Sequence, residues 1–341
     1  MSGEAGRWQG NSLNPLLTRD GTDRAADCTW FGSCTYDAHR VYGTSYDNGC
    51  DRSDVAEIAS AAISVNEKIN IACSGAQTAN IWRASQGGQI FKGEAPQADQ
   101  LATIASAKSV KLIVLNITAN DVGFSDHVIN CTVAWFGGLG PCNQAEQTDI
   151  VARTPAAKTG LRKAIDEIRA VMTGAGYSSS QYRLVLQGYS SPIPIGRNIR
   201  YAESGGDRWN YGGCPFYDAD ADWAKNTATP YIVDSMRSVA AEKGVQFLDV
   251  RDALNGHEVC HKSSSLVDGS NPVSGVSSEW VRWLNSGCCQ GDSQESLHPN
   301  AFGQKAIGMC VALIYAKTTG NYTCKNTKGK DFSYMTLSSI T

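Results

Sequence analysis

Val110-Lys111-Leu112-Ile113-Val114-Leu115 holds one charged residue in six, and its apolar side chains fall on both parities of the chain. Successive strand residues point to opposite faces, so a strand built from this run is apolar on both. Antiparallel sheets with one wet face alternate, whereas a parallel sheet covered by helices on both sides does not. Residues 183–187 (R-L-V-L-Q) and 245–250 (V-Q-F-L-D-V) have the same character.

Helical patterns separate these runs. Residues 98–107 are helical in composition. Residues 145–174 carry Leu161, Ala164, Ile165, Ile168, Val171 and Met172 on one face, with Gly174 as a stop, and residues 219–243 also read as helix. Upstream, Asp54 with Glu57 opens a helix bearing Val55, Ile58, Ala62 and Val65, and Ile69-Asn70-Ile71-Ala72-Cys73 reads as a short strand. This alternation predicts an α/β fold, a three-layer α/β/α sandwich around a parallel sheet. With no repeat, low-complexity tract or linker, residues 1–341 are expected to form one domain, of which residues 1–50 are an irregular segment held by cysteines.

Hydrophobic residues make up 42% of the chain, ample for a buried core. A formal charge of -3 gives no reason to expect nucleic acid or an anionic membrane as partner. The 12 cysteines are even in number and lack C-x-x-C spacing, which points to an exported, disulfide-stapled protein rather than a zinc site. Cys28 with Cys34 and Cys131 with Cys142 would close short loops, but spacing alone leaves the connectivity open. The N-terminus shows no apolar leader and no run is long enough to span a membrane, so an exported chain of this kind is a mature or an incomplete form.

Parallel sheets place their chemistry beyond the carboxyl ends of the strands. Those exits are Ser74-Gly75-Ala76, residues 116–121, Gly188-Tyr189-Ser190, and Asp252 onward. A further loop, Glu295-Ser296-Leu297-His298-Pro299-Asn300, leads into a helix whose Phe302, Ala306, Met309, Cys310, Leu313 and Ile314 recur at helical spacing, with Pro299 expected in its first turn. His298 thus stands at a helix mouth, where Glu295 three residues earlier could orient its imidazole as a general base.

Cys73-Ser74-Gly75-Ala76, Thr118-Ala119-Asn120-Asp121-Val122-Gly123-Phe124 and Glu295-x-x-His298-Pro299-Asn300, in that order, resemble the SGNH (GDSL) ester hydrolases, notably their secreted bacterial branch. Gly49-Cys50-Asp51-Arg52-Ser53, Tyr211-Gly212-Gly213-Cys214-Pro215-Phe216 and Gly256-His257-Glu258-Val259-Cys260 add to the resemblance, which covers nearly the whole chain. It implies a flavodoxin-like α/β/α hydrolase that cleaves carboxylic esters through a serine acyl-enzyme. His298 would be the general base, Glu295 or a backbone carbonyl would orient it, and Gly75 and Asn120 would hold the oxyanion. It implies no metal or cofactor. The expected partner is a small-molecule, lipid or acylated-sugar ester, and the expected state is a secreted monomer. Two positions depart from the family pattern: Thr118 stands where glycine is usual, and Glu295 where aspartate is usual.

The nucleophile is the larger departure. In the family a Gly-Asp-Ser block ends the first, central strand, and Ser-Gly-Glu often follows in the secreted branch. Ser2-Gly3-Glu4 therefore places the catalytic serine and its strand ahead of Met1, and the chain as it stands is expected to be weak or inactive. Ser2, three positions past the expected serine, is a poor substitute. Gly291-Asp292-Ser293 spells the motif but follows no strand. Gly188-Tyr189-Ser190 would give the order Ser190, Asp249, His298, yet Pro192 and Pro194 forbid the helix that a nucleophile elbow needs. His257-Glu258-Val259-Cys260-His261 matches H-E-x-x-H but lacks a helical context. His39 and His127 show no partner in the sequence. A rival reading is a non-catalytic extracellular binding module, with Trp8, Trp30, Trp82, Trp209 and Trp223 lining a carbohydrate or lipid groove.

Overall fold

Residues 2–12, 22–29, 33–285 and 291–340 are described by a computed structural model. Trp30, Cys288 and Cys289 lie outside the described residues. A hairpin of β1 (Ala26–Cys28) and β2 (Cys34–Tyr36) precedes the main sheet, closed by the Cys28–Cys34 disulfide. The sheet contains β3 (Leu112–Leu115), β4 (Arg183–Gln187), β5 (Gln246–Asp249), β6 (Asn321–Lys325) and β7 (Thr336–Ile340), hydrogen-bonded in that order. Pairings from β3 to β6 are parallel, and β7 closes the far edge antiparallel to β6.

Five longer helices flank it: α1 (Gln97–Ala107), α2 (Phe124–Gly137), α3 (Asn143–Gly174), α4 (Thr229–Lys243) and α5 (Ala301–Tyr315). The alternation of side chains along β4 and β5 explains the three layers. Leu184, Leu186 and Phe247 pack against Leu161, Ile165 and Met172 of α3, with Val233 and Met236 of α4. Val185 and Leu248 face the other way, into Ala306, Ile307, Cys310 and Ile314 of α5. A sheet apolar on both faces needs both helical layers, as the runs R-L-V-L-Q and V-Q-F-L-D-V required.

Two expectations fail near the edge. The helix expected from Asp54 is limited to Glu57–Ser60, and Ile69-Asn70-Ile71-Ala72-Cys73 forms no strand. The reason is its distance from the ladder. Residues 63–72 and the outer edge of β3 are the two walls of a cleft of about 600 Å³, lined by Ile63, Ile69, Ile71, Leu112, Val114 and others. An extended segment without a neighbour at the ~4.8 Å strand spacing has no ladder to join. The strand edge thus left open is the kind that accepts another strand.

The described residues contain five disulfides: Cys28–Cys34, Cys50–Cys73, Cys131–Cys142, Cys214–Cys260 and Cys310–Cys324. Cys50–Cys73 fastens the N-terminal segment to the loop that carries Gly75. No helix among the described residues is long and apolar enough to cross a membrane.

Candidate active site

The loop bearing His298 is rigid because backbone and cap both hold it. Asn300 is the N-cap of α5, its side-chain oxygen accepting from the N–H groups of Phe302 and Gly303 at 3.0 and 3.3 Å. Pro299, expected in the first turn, stands one residue ahead of that cap. The Leu297 N–H donates to the Arg282 carbonyl at 2.8 Å, and the Arg282 N–H donates to the His298 carbonyl at 2.9 Å.

Both ring nitrogens of His298 are engaged. Nδ1 donates to the Ser296 carbonyl at 2.9 Å. Nε2 forms an ion pair with the Glu4 carboxylate. Burial works against the imidazolium, but the Glu4 charge and the hydrogen bonds to Glu4 and Ser296 outweigh it and raise the His298 pKa. Glu4 shifts the other way: burial alone would raise it, and His298 together with the Ser74 hydroxyl lowers it. Sequence reasoning missed this pairing. Glu4 was visible only as the last letter of Ser-Gly-Glu, and a contact across nearly the whole chain has no local signature.

Glu295 does not orient the histidine. Its carboxylate accepts from the Tyr42 hydroxyl, from Trp8 Nε1 at 2.9 Å and from the Asp292 N–H at 3.0 Å. Three donors satisfy it on the far side of the loop, and the Ser296 carbonyl takes the orienting place. Burial raises the Glu295 pKa to about 7 despite Tyr42, Trp8, Arg7 and Arg282 nearby. Beside it Arg282 stacks 3.6 Å over the Trp8 ring, and Arg7 Nε donates to Asp23 at 2.8 Å. The N-terminal segment and the histidine loop are therefore joined through one buried polar cluster.

Gly75, Asn120, His298 and Ser2 line a common cavity of about 150 Å³ at the carboxyl ends of the strands. Gly75 turns with φ +84°, a region that favours glycine. The Asn120 amide donates to the Ala76 carbonyl at 3.0 Å, which holds the 75–78 and 118–121 loops side by side. Asp121 reinforces this by accepting from the Thr78 N–H at 3.1 Å. Thr118, where the family usually has glycine, adopts φ 119°, so the chain keeps a glycine-like backbone with a β-branched residue. Phe124 meets the His298 ring edge-on at 5.9 Å. The Ser2 hydroxyl lies 3.4 Å from Glu4 Oε2.

The competing motifs do other work. Ser293 is exposed, and Asp292 caps the short 3-10 turn Ser293–Glu295 together with Glu295. Ser190 lines the cavity, but Asp249 is held by Arg251 at 2.8 Å and takes no part with His298. His257 stacks on Trp280 at 4.0 Å, Glu258 pairs with Lys225 at 2.9 Å, and His261 Nδ1 accepts from the Ser263 N–H at 3.0 Å, all on non-helical turns. His127 is buried between the Glu146 carboxylate and the Val122 carbonyl, and His39 lies between Asp37 and Asp47. None of the described tryptophans lines this cavity. Trp8 is sealed in the buried cluster, and the indole N–H groups of Trp82 and Trp223 donate to Gly160 and Gln147.

A mainly parallel sheet between helical layers, with Gly75, Asn120 and His298 around one cavity at its carboxyl end, defines an α/β protein of the three-layer class. The chain belongs to the GDSL-like lipase/acylhydrolase family, which its sequence matches over residues 40–306. It is 24% identical to Lipase 1 of Streptomyces coelicolor over 283 residues, 79% of this chain and 82% of that protein. It is also similar to the crystal structures of an extracellular lipase from Streptomyces rimosus (20% identity, TM-score 0.48) and of phospholipase A1 from Streptomyces albidoflavus (20% identity, TM-score 0.47). Each comparison covers 82% of this chain and 96% of the other.

Proposed function

We propose that the protein is a secreted, single-domain, monomeric carboxylic ester hydrolase working through a serine acyl-enzyme. The observation that carries this reading is the convergence of Gly75, Asn120 and His298 on one cavity from three separate loops. A serine at the end of an apolar strand seated in the cleft beside β3 would complete the site. Three features support that placement. The cleft has a free strand edge as one wall; Ala72, Gln97 and Asn116 line both the cleft and the cavity; and Asn70 Nδ2 donates to the Ser2 carbonyl at 3.0 Å.

In the first step His298 Nε2 takes the hydroxyl proton as the serine oxygen attacks the ester carbonyl. Negative charge on the carbonyl oxygen is met by the Gly75 N–H and the Asn120 amide. The imidazolium then protonates the departing alcohol, and water repeats the sequence to release the acid. Glu4 must leave Nε2 for this. The acyl group enters a second, apolar cavity of about 90 Å³ that shares Phe124, Pro192, Thr229, Ile232 and Leu297 with the first. No step calls for a metal or cofactor.

The Glu4 carboxylate on Nε2 is also the observation that favours the second reading, a non-catalytic extracellular module for lipid or carbohydrate on a degenerate hydrolase fold. The experiment that separates the two extends the chain with an apolar strand ending in Gly-Asp-Ser ahead of Ser2 and measures hydrolysis of short acyl nitrophenyl esters. Activity that vanishes when the added serine is replaced by alanine supports the enzyme. No activity in the extended form supports the module.

A further inference from the structure

We propose that the outer face of α2 and the loop after it dock on an electrically neutral, zwitterionic lipid surface. Ile129, Val133 and Phe136 recur at helical spacing and are 58%, 58% and 52% exposed, and Leu139 beyond them is 75% exposed. Soluble proteins seldom leave such a contiguous large-apolar stripe in water without a partner. The charge pattern states which partner. Residues 128–145 contain no Asp, Glu, Lys, Arg or His, in a chain that is 18% charged and would place about three charges in such a span. A surface for anionic lipid carries lysine and arginine, and this one has none. At its border Asp126 is neutralised by Arg153 at 3.1 Å.

The loop is built to hold its shape. Cys131–Cys142 staples it to the helix, Gly138 closes α2 with φ +62°, and the Gly140 N–H donates to the Tyr217 hydroxyl at 3.3 Å. Leu139 is thus presented on a fixed tip. Trp209 and Trp135 each meet Phe136 edge-on at 5.1 Å; aromatic rings with one polar atom suit the boundary between lipid and water.

The same helix reaches the chemistry. Phe124 at its start lines the cavity with His298, and Val128 and Cys131 line the apolar cavity behind it. A lipid surface seated on the outer face of α2 would offer acyl esters at the mouth that its inner face lines. That benefit rests on the ester-hydrolase reading; the docking itself does not.

The test is co-sedimentation of the whole chain with phosphatidylcholine vesicles, beside the variant Val133→Asp with Leu139→Asp. Burying an exposed aliphatic side chain is worth roughly tenfold or more in partitioning, so the wild type sediments with the vesicles and the variant loses at least tenfold, with circular dichroism and thermal midpoint unchanged. Absence of wild-type binding at millimolar lipid overturns the proposal, as does equal binding by the variant or binding confined to anionic vesicles. A concentration-dependent dimer abolished by the same substitutions also overturns it, because a second copy then covers the face. Binding without hydrolysis by the serine-extended chain removes the enzyme reading and leaves the docking intact; hydrolysis of soluble esters without binding does the reverse.

Discussion

Glu4 and His298 form an ion pair at the imidazole nitrogen that a serine hydroxyl would have to reach. Nδ1 of the same ring is fixed on the Ser296 carbonyl at 2.9 Å, so one ring nitrogen is held by the backbone and the other by a carboxylate.

The pair makes stability depend on pH in a defined window. His298 is raised above its ordinary 6.5, so its contribution is complete below 6.5 and is lost as pH rises through the higher folded value. Glu4 is lowered below 4.5, so its contribution is complete above 4.5 and is lost as pH falls through the lower folded value. The difference in thermal midpoint between wild type and Glu4→Gln should be largest between these limits. In the same variant the His298 proton resonances should titrate at lower pH than in the wild type.

Glu295 should act on the histidine only through its loop. A buried carboxyl raised to about 7 loses stability as pH rises from 4.5 through 7, on the order of 3 kcal/mol by the usual conversion. Replacement by glutamine removes the charge. Measured by thermal denaturation, Glu295→Gln should therefore gain on the wild type as pH rises through that interval. Glu295→Ala strands the Trp8, Tyr42 and Asp292 donors and should cost about 3 kcal/mol or more at every pH.

Gly75 and Thr118 should differ in how far substitution moves stability. A Cβ at Gly75 would sit 3.4 Å from Phe91 Cζ, but φ +84° strains it whatever the space, so Gly75→Ala should lose about 1–2 kcal/mol in urea denaturation. Thr118 already bears such strain at φ 119°. Thr118→Gly should stay within about 1 kcal/mol of the wild type although it deletes a buried side chain.

Asn120 should matter to rate rather than to binding. In the serine-extended chain, an Asn120 amide that meets charge existing only beyond the ground state predicts that Asn120→Ala lowers kcat about 10²–10³-fold with little change in KM. An equal loss in substrate affinity would place Asn120 in substrate binding instead.

The sheet was legible where burial on both faces leaves an uninterrupted apolar run, at β3, β4 and β5. It was illegible at β6 and β7, because Asn321-Tyr322-Thr323-Cys324-Lys325 and the edge strand Thr336-Leu337-Ser338-Ser339-Ile340 mix polar with apolar residues. Ile69-Asn70-Ile71-Ala72-Cys73 has strand composition but no adjacent edge to pair with, which composition does not record. At the site, Gly75, Asn120 and His298 could be picked out because each sits in a local motif. The choice between Glu295 and a backbone carbonyl beside His298 could not be read from proximity in sequence, because the contacts of Glu295 with Tyr42 and Trp8 lie far along the chain. Glu4 could be found only from the folded chain.

The most direct test is covalent capture. The serine-extended chain is incubated with an alkyl fluorophosphonate, whose phosphorus a serine oxygen attacks with loss of fluoride, and the adduct is located by mass spectrometry of the digested protein. A single adduct on the serine ahead of Ser2, slowed at least a hundredfold by His298→Ala, is the result expected. An adduct on Ser190 or Ser293, or labelling that is indifferent to His298, would contradict the account.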